Sequence, residues 1–219
     1  MASQSVEEYM EAIYRLGGDS GTVSTCELAD LLGVAPPSVT TMLGRLSRDG
    51  LVKHVRYKGI TLTSHGREMA AAMIRRHRLS ERLLTDVLGM PWDRVHEAAC
   101  KLEHVMTGEI EDRTFSVLGE PERCPHGHLL EGKEVGFLVL LSDIIPGECA
   151  VVVKIDKESP EFLKFAAESG LTPSAKVVVE SACDEQMQVT VSGQSNEICK
   201  ESAALIWVRR LDNLTAEPV

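Results

Sequence analysis

The chain has 219 residues, 43% of them hydrophobic, and carries a formal net charge of −10. That length allows one large domain or two to three small ones, and no apolar run approaches the ~20 residues that a membrane-spanning helix needs. The opening MASQSVEEYMEAIYRL is amphipathic and acidic and lacks the basic-then-apolar order of a secretory signal, so the expectation is a cytoplasmic protein with no membrane partner.

The six cysteines form no CxxC pair, so they read as thiols or metal ligands and not as disulfides or a zinc ribbon. The acidic total hides an uneven distribution: residues 36–82 hold 10 basic and 3 acidic side chains, a local +7. Because phosphates respond to the local field, this basic segment is compatible with DNA binding on an acidic protein.

Along the chain, Tyr9, Ile13 and Leu16 predict a helix over Val6–Leu16, with Glu8 and Glu11 on a neighbouring face. A second helix is predicted over Ser24–Leu32, where Ser24 and Glu27 have capping-box spacing. Pro37 suits the start of a third, which buries Val39, Met42, Leu43 and Leu46 and runs to Gly50. Leu51–Val55 and Ile60–Thr63 alternate like a hairpin, with Arg56-Tyr57-Lys58-Gly59 as a basic tip.

Two helices joined by a tight turn and followed by a basic hairpin describe a winged helix-turn-helix. Pro37, Ser38, Thr40 and Thr41 are the candidate base contacts, and Arg45, Arg48, Lys53, Arg56 and Lys58 the candidate phosphate contacts. The competing reading is a plain helical hairpin in a core.

Further on, a long helix is predicted from Ser64 to about Leu88, a second from Trp92-Asp93 to about Thr107, and a shorter one over Glu109–Leu118. Gly119–Gly132 reads as a linker. Beyond it the pattern turns to strands at Cys149–Ile155, Lys176–Glu180, Gln188–Val191 and Ala204–Val208, with one helix near Ser159–Ser169.

Cys100, Glu103 and His104, at i, i+3 and i+4, would converge on one helical face, with His96 one turn earlier. His77 and Glu81 form another i, i+4 pair, for which a solvated ion pair is the alternative. Mixed S, N and O donors suit Fe(II), Co(II), Ni(II) or Zn(II), and the carboxylates add Mn(II). A metal-dependent hydrolase is disfavoured, because no HExxH-type arrangement occurs. A regulator sensing an oxidant or organic ligand through Cys100 is the competing function.

From about Val6 to Gly132 the chain resembles the diphtheria toxin repressor family of iron- or manganese-dependent regulators. The stretches that carry the likeness are EEYMEAIYRL, PPSVTTMLGRLSRDGLV, LTSHGREMA, RRHRLSERLL, GMPWDRVHEAACKLEHVM and CPHGH. The tail is similar in general character to the SH3-like (FeoA-type) domain of many members.

The resemblance implies a mainly α protein with a smaller β domain. Its parts would be a winged helix-turn-helix (1–63), a helical metal-binding and dimerisation domain with linker (64–132) and a C-terminal SH3-like β-barrel (133–219). It implies a homodimer that binds operator DNA when loaded with Fe(II) or Mn(II), and no enzymatic activity. One metal site would fall on Glu8, Cys100, Glu103 and His104, and a second on His77, Glu81 and His96, completed by Asp156 or Glu158. In manganese-responsive members Glu11 and His77 would join Glu8. A carboxylate at Glu8 follows the manganese pattern and a thiol at Cys100 the iron pattern. Cys124, His126 and His128 are either soft-metal ligands or parts of a structured turn.

Overall fold

The computed structural model describes residues 4–55, 58–132 and 134–211. Two compact units divide the chain: Met1–His77 with Glu103–Thr107, and Arg78–Leu102 with Gly108–Val219.

The first unit starts with α1 (Gln4–Arg15), which buries Val6, Tyr9, Met10 and Ile13. α2 (Thr25–Leu32) begins in a complete capping box: Ser24 accepts from the Glu27 amide, and the Glu27 carboxylate accepts from the Ser24 amide. It ends at Gly33, whose φ of 63° is the left-handed conformation that glycine adopts without a Cβ penalty. That sharp stop lets α3 (Pro36–Arg48) start three residues later, with proline in its first turn.

Val39, Leu43 and Leu46 of α3 pack with Leu28 and Ala29 of α2 and with the buried side chains of α1. The wing is an antiparallel pair, β1 (Val52–Val55) and β2 (Gly59–Leu62), with Val52 opposite Leu62 and Val55 opposite Gly59. Val52, Ile60 and Leu62 close the core from this side, and α4 (Ser64–Arg82) adds Ala70 and Met73.

α4 carries on into the second unit. Its predicted extension to Leu88 is wound as a single π-helical stretch, Leu83–Val87. There Leu84 packs with Val95 and Ala99 of α5 (Val95–Leu102). The helix predicted to reach Thr107 therefore ends at Leu102, and residues 103–105 form a turn. α6 (Glu109–Val117) follows and buries none of its residues.

Residues 119–132 are not an open linker. An isolated bridge pairs Arg123 with Leu129, and the Cys124 amide donates to the His128 carbonyl at 2.8 Å.

The tail is an antiparallel six-stranded sheet in the order β3-β8-β4-β5-β6-β7. The strands are β3 (Val139–Leu140), β4 (Cys149–Ile155), β5 (Lys176–Ala182), β6 (Gln186–Val191), β7 (Gln194–Cys199) and β8 (Ile206–Leu211). β3 and β7 are edges that do not pair with each other among the described residues, so the expected barrel is an open, bulged sheet. α7 (Pro160–Glu168), capped by Ser159, covers it with Phe162, Leu163 and Ala166, and the short α8 (Lys200–Ala203) precedes β8. β7 escaped the sequence reading because its QSNEIC is mostly polar and only Ile198 faces the core. Among the described residues, no helix is long and apolar enough to cross a membrane.

Candidate metal centres and DNA-reading face

In the first unit, α1, α4 and the turn after α5 bring ionisable side chains together under the winged helix. His77 is fully buried, and its Nδ1 lies 2.6 Å from Glu103 Oε2 and 4.0 Å from Glu11 Oε1. Ligand-type atoms of Glu11, His77 and Glu103 all fall within 4.8 Å of one another. His104 stands beside them, with Nδ1 2.7 Å from Glu7 Oε2 and Nε2 3.8 Å from Glu103 Oε1. Burial and the nearby Glu11 push the Glu103 carboxyl up, against the pull of His77 and His104. Glu11 is also paired with Arg15, at 2.8 Å. Mixed carboxylate and imidazole donors of this kind suit a divalent cation.

The predicted ligands are placed unevenly. Glu11, His77, Glu103 and His104 are gathered, whereas Glu8 is exposed and Glu7 faces His104 in its stead. Neighbouring residues on a helix point about 100° apart, and the sequence offered no reason to prefer one of two adjacent glutamates. Because α5 stops at Leu102, Cys100 does not share a helical face with Glu103 and His104. It belongs to the second unit, with Sγ 3.9 Å from His96 Nε2.

Glu81, four residues after His77, serves a second cluster. It is fully buried, as His77 is, so the solvated ion pair does not apply. Atoms of Glu81, Cys124, His126 and Glu158 lie within 4.8 Å of one another. His126 Nδ1 sits 3.2 Å from Glu81 Oε1 and 3.3 Å from Glu158 Oε1 without hydrogen-bond alignment, while its Nε2 donates to the Trp92 carbonyl at 2.9 Å. Nε2 is thus committed to the Trp92 carbonyl, and Nδ1 faces the two carboxylates, where it would carry either a proton or a metal ion.

Burial works against a charged His126 ring, but Cys124, Glu158 and Glu81 outweigh it and raise its pKa. The Cys124 thiol is pushed up by burial and by Glu81, with His126 opposing. His96 Nδ1 lies 3.4 Å from Glu81 Oε1 and 3.3 Å from Glu158 Oε2. Of the two tail candidates, Glu158 is the one that enters; Asp156 is held by Lys154 and the Trp207 indole. His128 donates from Nε2 to the Ile155 carbonyl and stands 3.7 Å from Glu158.

The loop that delivers Cys124 and His126 is docked on β4 through the Ile155 amide, which donates to the His126 carbonyl at 3.0 Å. Gly127 makes the approach possible: its φ is 91°, and a Cβ there would run into the Val153 carbonyl. Gly127→Ala should therefore cost about 1–3 kcal/mol in backbone strain alone. The expected outcome is a lower melting temperature in a thermal unfolding scan.

On the DNA side, Pro37, Ser38, Thr40, Thr41, Arg45 and Arg48 are all exposed on α3, opposite buried Val39, Leu43 and Leu46. Thr40 and Thr41 donate back to the Pro36 and Pro37 carbonyls at 3.1 and 3.0 Å. Lys53 and Lys58 are exposed on the wing, and Arg56 lies outside the described residues.

Residues 1–60 match the family model for the N-terminal DNA binding domain of iron dependent repressors. Residues 63–129 match the model for their metal binding and dimerisation domain, and residues 139–210 the FeoA domain. The chain is 33% identical over 208 residues to the iron-dependent repressor IdeR of Mycobacterium tuberculosis (strain H37Rv), covering 88% of this chain and 90% of the relative. It is 38% identical over 229 residues to the diphtheria toxin repressor of Corynebacterium efficiens, covering 96% and 97%. A solved structure of a manganese-dependent transcriptional repressor in complex with manganese superposes with a TM-score of 0.86 at 30% identity, covering 94% of this chain and 100% of that one. These are regulators and not enzymes, and the chain belongs to their family, the iron- or manganese-dependent transcriptional repressors of the diphtheria toxin repressor type.

Proposed function

We propose that this chain, acting in the cytoplasm, binds a palindromic operator in double-stranded DNA as a homodimer when loaded with Fe(II) or Mn(II), and so controls genes of metal homeostasis. The observation that carries this reading is the buried set of Glu11, His77 and Glu103, flanked by Glu7 and His104, on elements that share a core with α3. The division of labour is DNA reading by 1–63, metal binding and dimerisation by 64–132, and a FeoA-type tail over 133–219.

A bound dication would add positive charge among these carboxylates and accept the imidazoles as further ligands. Glu11 and Glu7 of α1 would then be tied to His77 on α4 and to Glu103 and His104; Glu8 could replace Glu7 only after α1 turned by about 100°. Because α1 packs in the same core as α3, holding α1 against α4 sets the bearing of the reading helix. In a dimer that bearing decides whether two α3 helices meet half-sites about one helical turn (~34 Å) apart. By linkage, operator DNA tightens metal binding by the factor through which metal tightens DNA binding.

The first centre offers O and N donors suited to Mn(II) or Fe(II). The second, with Glu81, Cys124, His126 and Glu158, adds a thiol and suits Fe(II), Co(II), Ni(II) or Zn(II).

The dimer contact falls on the exposed apolar side chains of the π-helical stretch and α6, namely Val87, Leu88, Ile110 and Val117. Leu84, by contrast, packs within the chain. Ile110→Glu combined with Val117→Glu should convert a dimer to a monomer in sedimentation equilibrium and weaken operator binding at least ~100-fold, since each half-site then binds alone. The function itself is tested by anaerobic fluorescence anisotropy on duplex DNA from upstream of the chain's own gene, titrating Fe(II) and Mn(II) separately. Binding about 5- to 150-fold tighter with either metal supports it, and equal affinity with and without metal overturns it. A Cys100→Ala arm shows whether that thiolate takes part.

A further inference from the structure

The wing is fastened to the rest of the first unit on both sides. On one side, β2 is hydrogen-bonded to the loop that leaves α1. The Leu62 amide donates to the Gly18 carbonyl at 2.9 Å, and Ile60 and Val23 exchange amide-to-carbonyl bonds at 2.8 and 2.9 Å. The Gly18 amide donates in turn to the Ile13 carbonyl of α1 at 2.9 Å, and a Cβ on Gly18 would meet the Ile13 side chain at 2.5 Å, so this loop lies directly on the end of that helix. On the other side, the turn that enters β1 is bonded to the start of α4. The Thr63 amide donates to the Leu51 carbonyl at 3.0 Å, and Thr63 Oγ1 donates to the Gly50 carbonyl at 2.7 Å while accepting from the Gly66 amide at 3.0 Å. Gly66 fits there for want of a side chain, since a Cβ would run into the Leu51 carbonyl.

α1 and α4 are also the two helices that face each other across the first cluster, with Glu11 on one and His77 on the other. We infer that the wing is the element whose phosphate contacts depend on metal: an ion held between Glu11 and His77 fixes α1 relative to α4, and the hairpin, bonded to both, is aimed by that choice. Thr63 is the positioning residue of this arrangement. The inference rests on the reading of the first cluster as a metal centre.

His77 stands roughly 20 Å along α4 from Ser64, at 1.5 Å per residue, so a small tilt set at the ion is enlarged at the wing. Backbone hydrogen bonds to both helices leave the hairpin little freedom to lag behind. Lys53 and Lys58 are exposed on it, Lys53 opposite Thr61 in the ladder. A lysine moved out of reach of its phosphate stops displacing counterions, so the aim of the wing is read as a number of phosphate contacts. Thr63 suits its place because one hydroxyl is used as donor and acceptor at once, joining the turn after α3 to the first turn of α4. Valine keeps the shape and loses both bonds, whereas serine keeps both.

The test uses the full chain and the duplex from upstream of its own gene, with anisotropy titrations repeated over a range of KCl in Mn(II) and in chelator. For the unsubstituted chain the slope of log K against log salt should be steeper with Mn(II), by about 2 for the two lysines of each bound protomer. Replacing Lys53 and Lys58 together by alanine should close that gap between the two arms. Thr63→Val should close it too, while binding Mn(II) in equilibrium dialysis as tightly as the unsubstituted chain, and Thr63→Ser should restore it. The lysine pair, exposed on the hairpin, tests the wing even if Thr63→Val does not fold. A gap that survives loss of both lysines, with Mn(II) still tightening DNA binding, would overturn the role of the wing and leave metal-gated binding standing. A full gap in Thr63→Val, or a closed one in Thr63→Ser, would overturn the positioning role of Thr63. No effect of Mn(II) on the DNA affinity of the unsubstituted chain would overturn the inference and the reading beneath it together.

Discussion

Glu103→Gln should abolish metal-stimulated operator binding while leaving a folded protein. Glu103 links the two histidines of the first cluster: Oε2 meets His77 at 2.6 Å and Oε1 lies 3.8 Å from His104. Glutamine keeps the volume and can still accept from His77, and it imitates the protonated form toward which burial already drives this carboxyl. Stability should thus change little.

Metal affinity behaves differently. Even partners one shell removed from a metal are worth about 10–100-fold in affinity, so loss of a direct carboxylate should cost at least ~100-fold. At metal concentrations that saturate the unsubstituted chain, the variant's DNA affinity should equal that of the metal-free protein. Anisotropy titrations with and without Mn(II), alongside a thermal melt, check both halves. His104→Ala should act in the same direction, since it removes the imidazole that meets Glu7 of α1 at 2.7 Å.

The second large effect is expected on α3. Replacing Arg45 and Arg48 together by alanine should weaken operator and random DNA alike. It should also lower the slope of log K against log salt by about 2, from roughly 0.9 for each phosphate contact. The fold should tolerate the change: Arg45 meets Asp49 only at 3.8 Å on the surface, and exposed pairs of this kind contribute little. Thr41→Ala should separate from this pattern. Its hydroxyl bonds the Pro37 carbonyl at 3.0 Å when DNA is away, and on DNA it is free to turn to a base edge. The substitution should therefore cost about 1–3 kcal/mol on the preferred sequence and little on random DNA. Equal losses on both sequences would remove Thr41 from base reading.

Much of the winged helix was legible because its signals are local. Ser24 with Glu27, Gly33 at a left-handed stop and proline in the first turn of α3 each act within four residues, and the apolar spacing of Val39, Leu43 and Leu46 matches a helix packed on one side. The candidate metal ligands were legible as residue types and only partly as neighbours. Helical spacing placed Cys100, Glu103 and His104 on one face, but that inference required the helix to continue, and it ends at Leu102.

Asp156 is held by Lys154 beside it and by Trp207 across the sheet, which leaves Glu158 in the cluster, and neither contact is written in the local sequence pattern. Cys124 and His126 sat in a Gly- and Pro-rich stretch that resembles a linker until Gly127 is seen pressed against β4. Barrel closure depends on whether β3 and β7 pair, which no local pattern encodes.

The most direct measurement is selection of bound duplexes from a random DNA pool by the full chain, run anaerobically in parallel with Mn(II), with Fe(II) and with chelator. Enrichment of an inverted repeat with half-sites about one helical turn apart, in a metal arm and not with chelator, is the expected result, and Glu103→Gln should enrich nothing in any arm. The same repeat emerging with chelator present, or from Glu103→Gln as readily as from the unsubstituted chain, would contradict metal-gated DNA recognition.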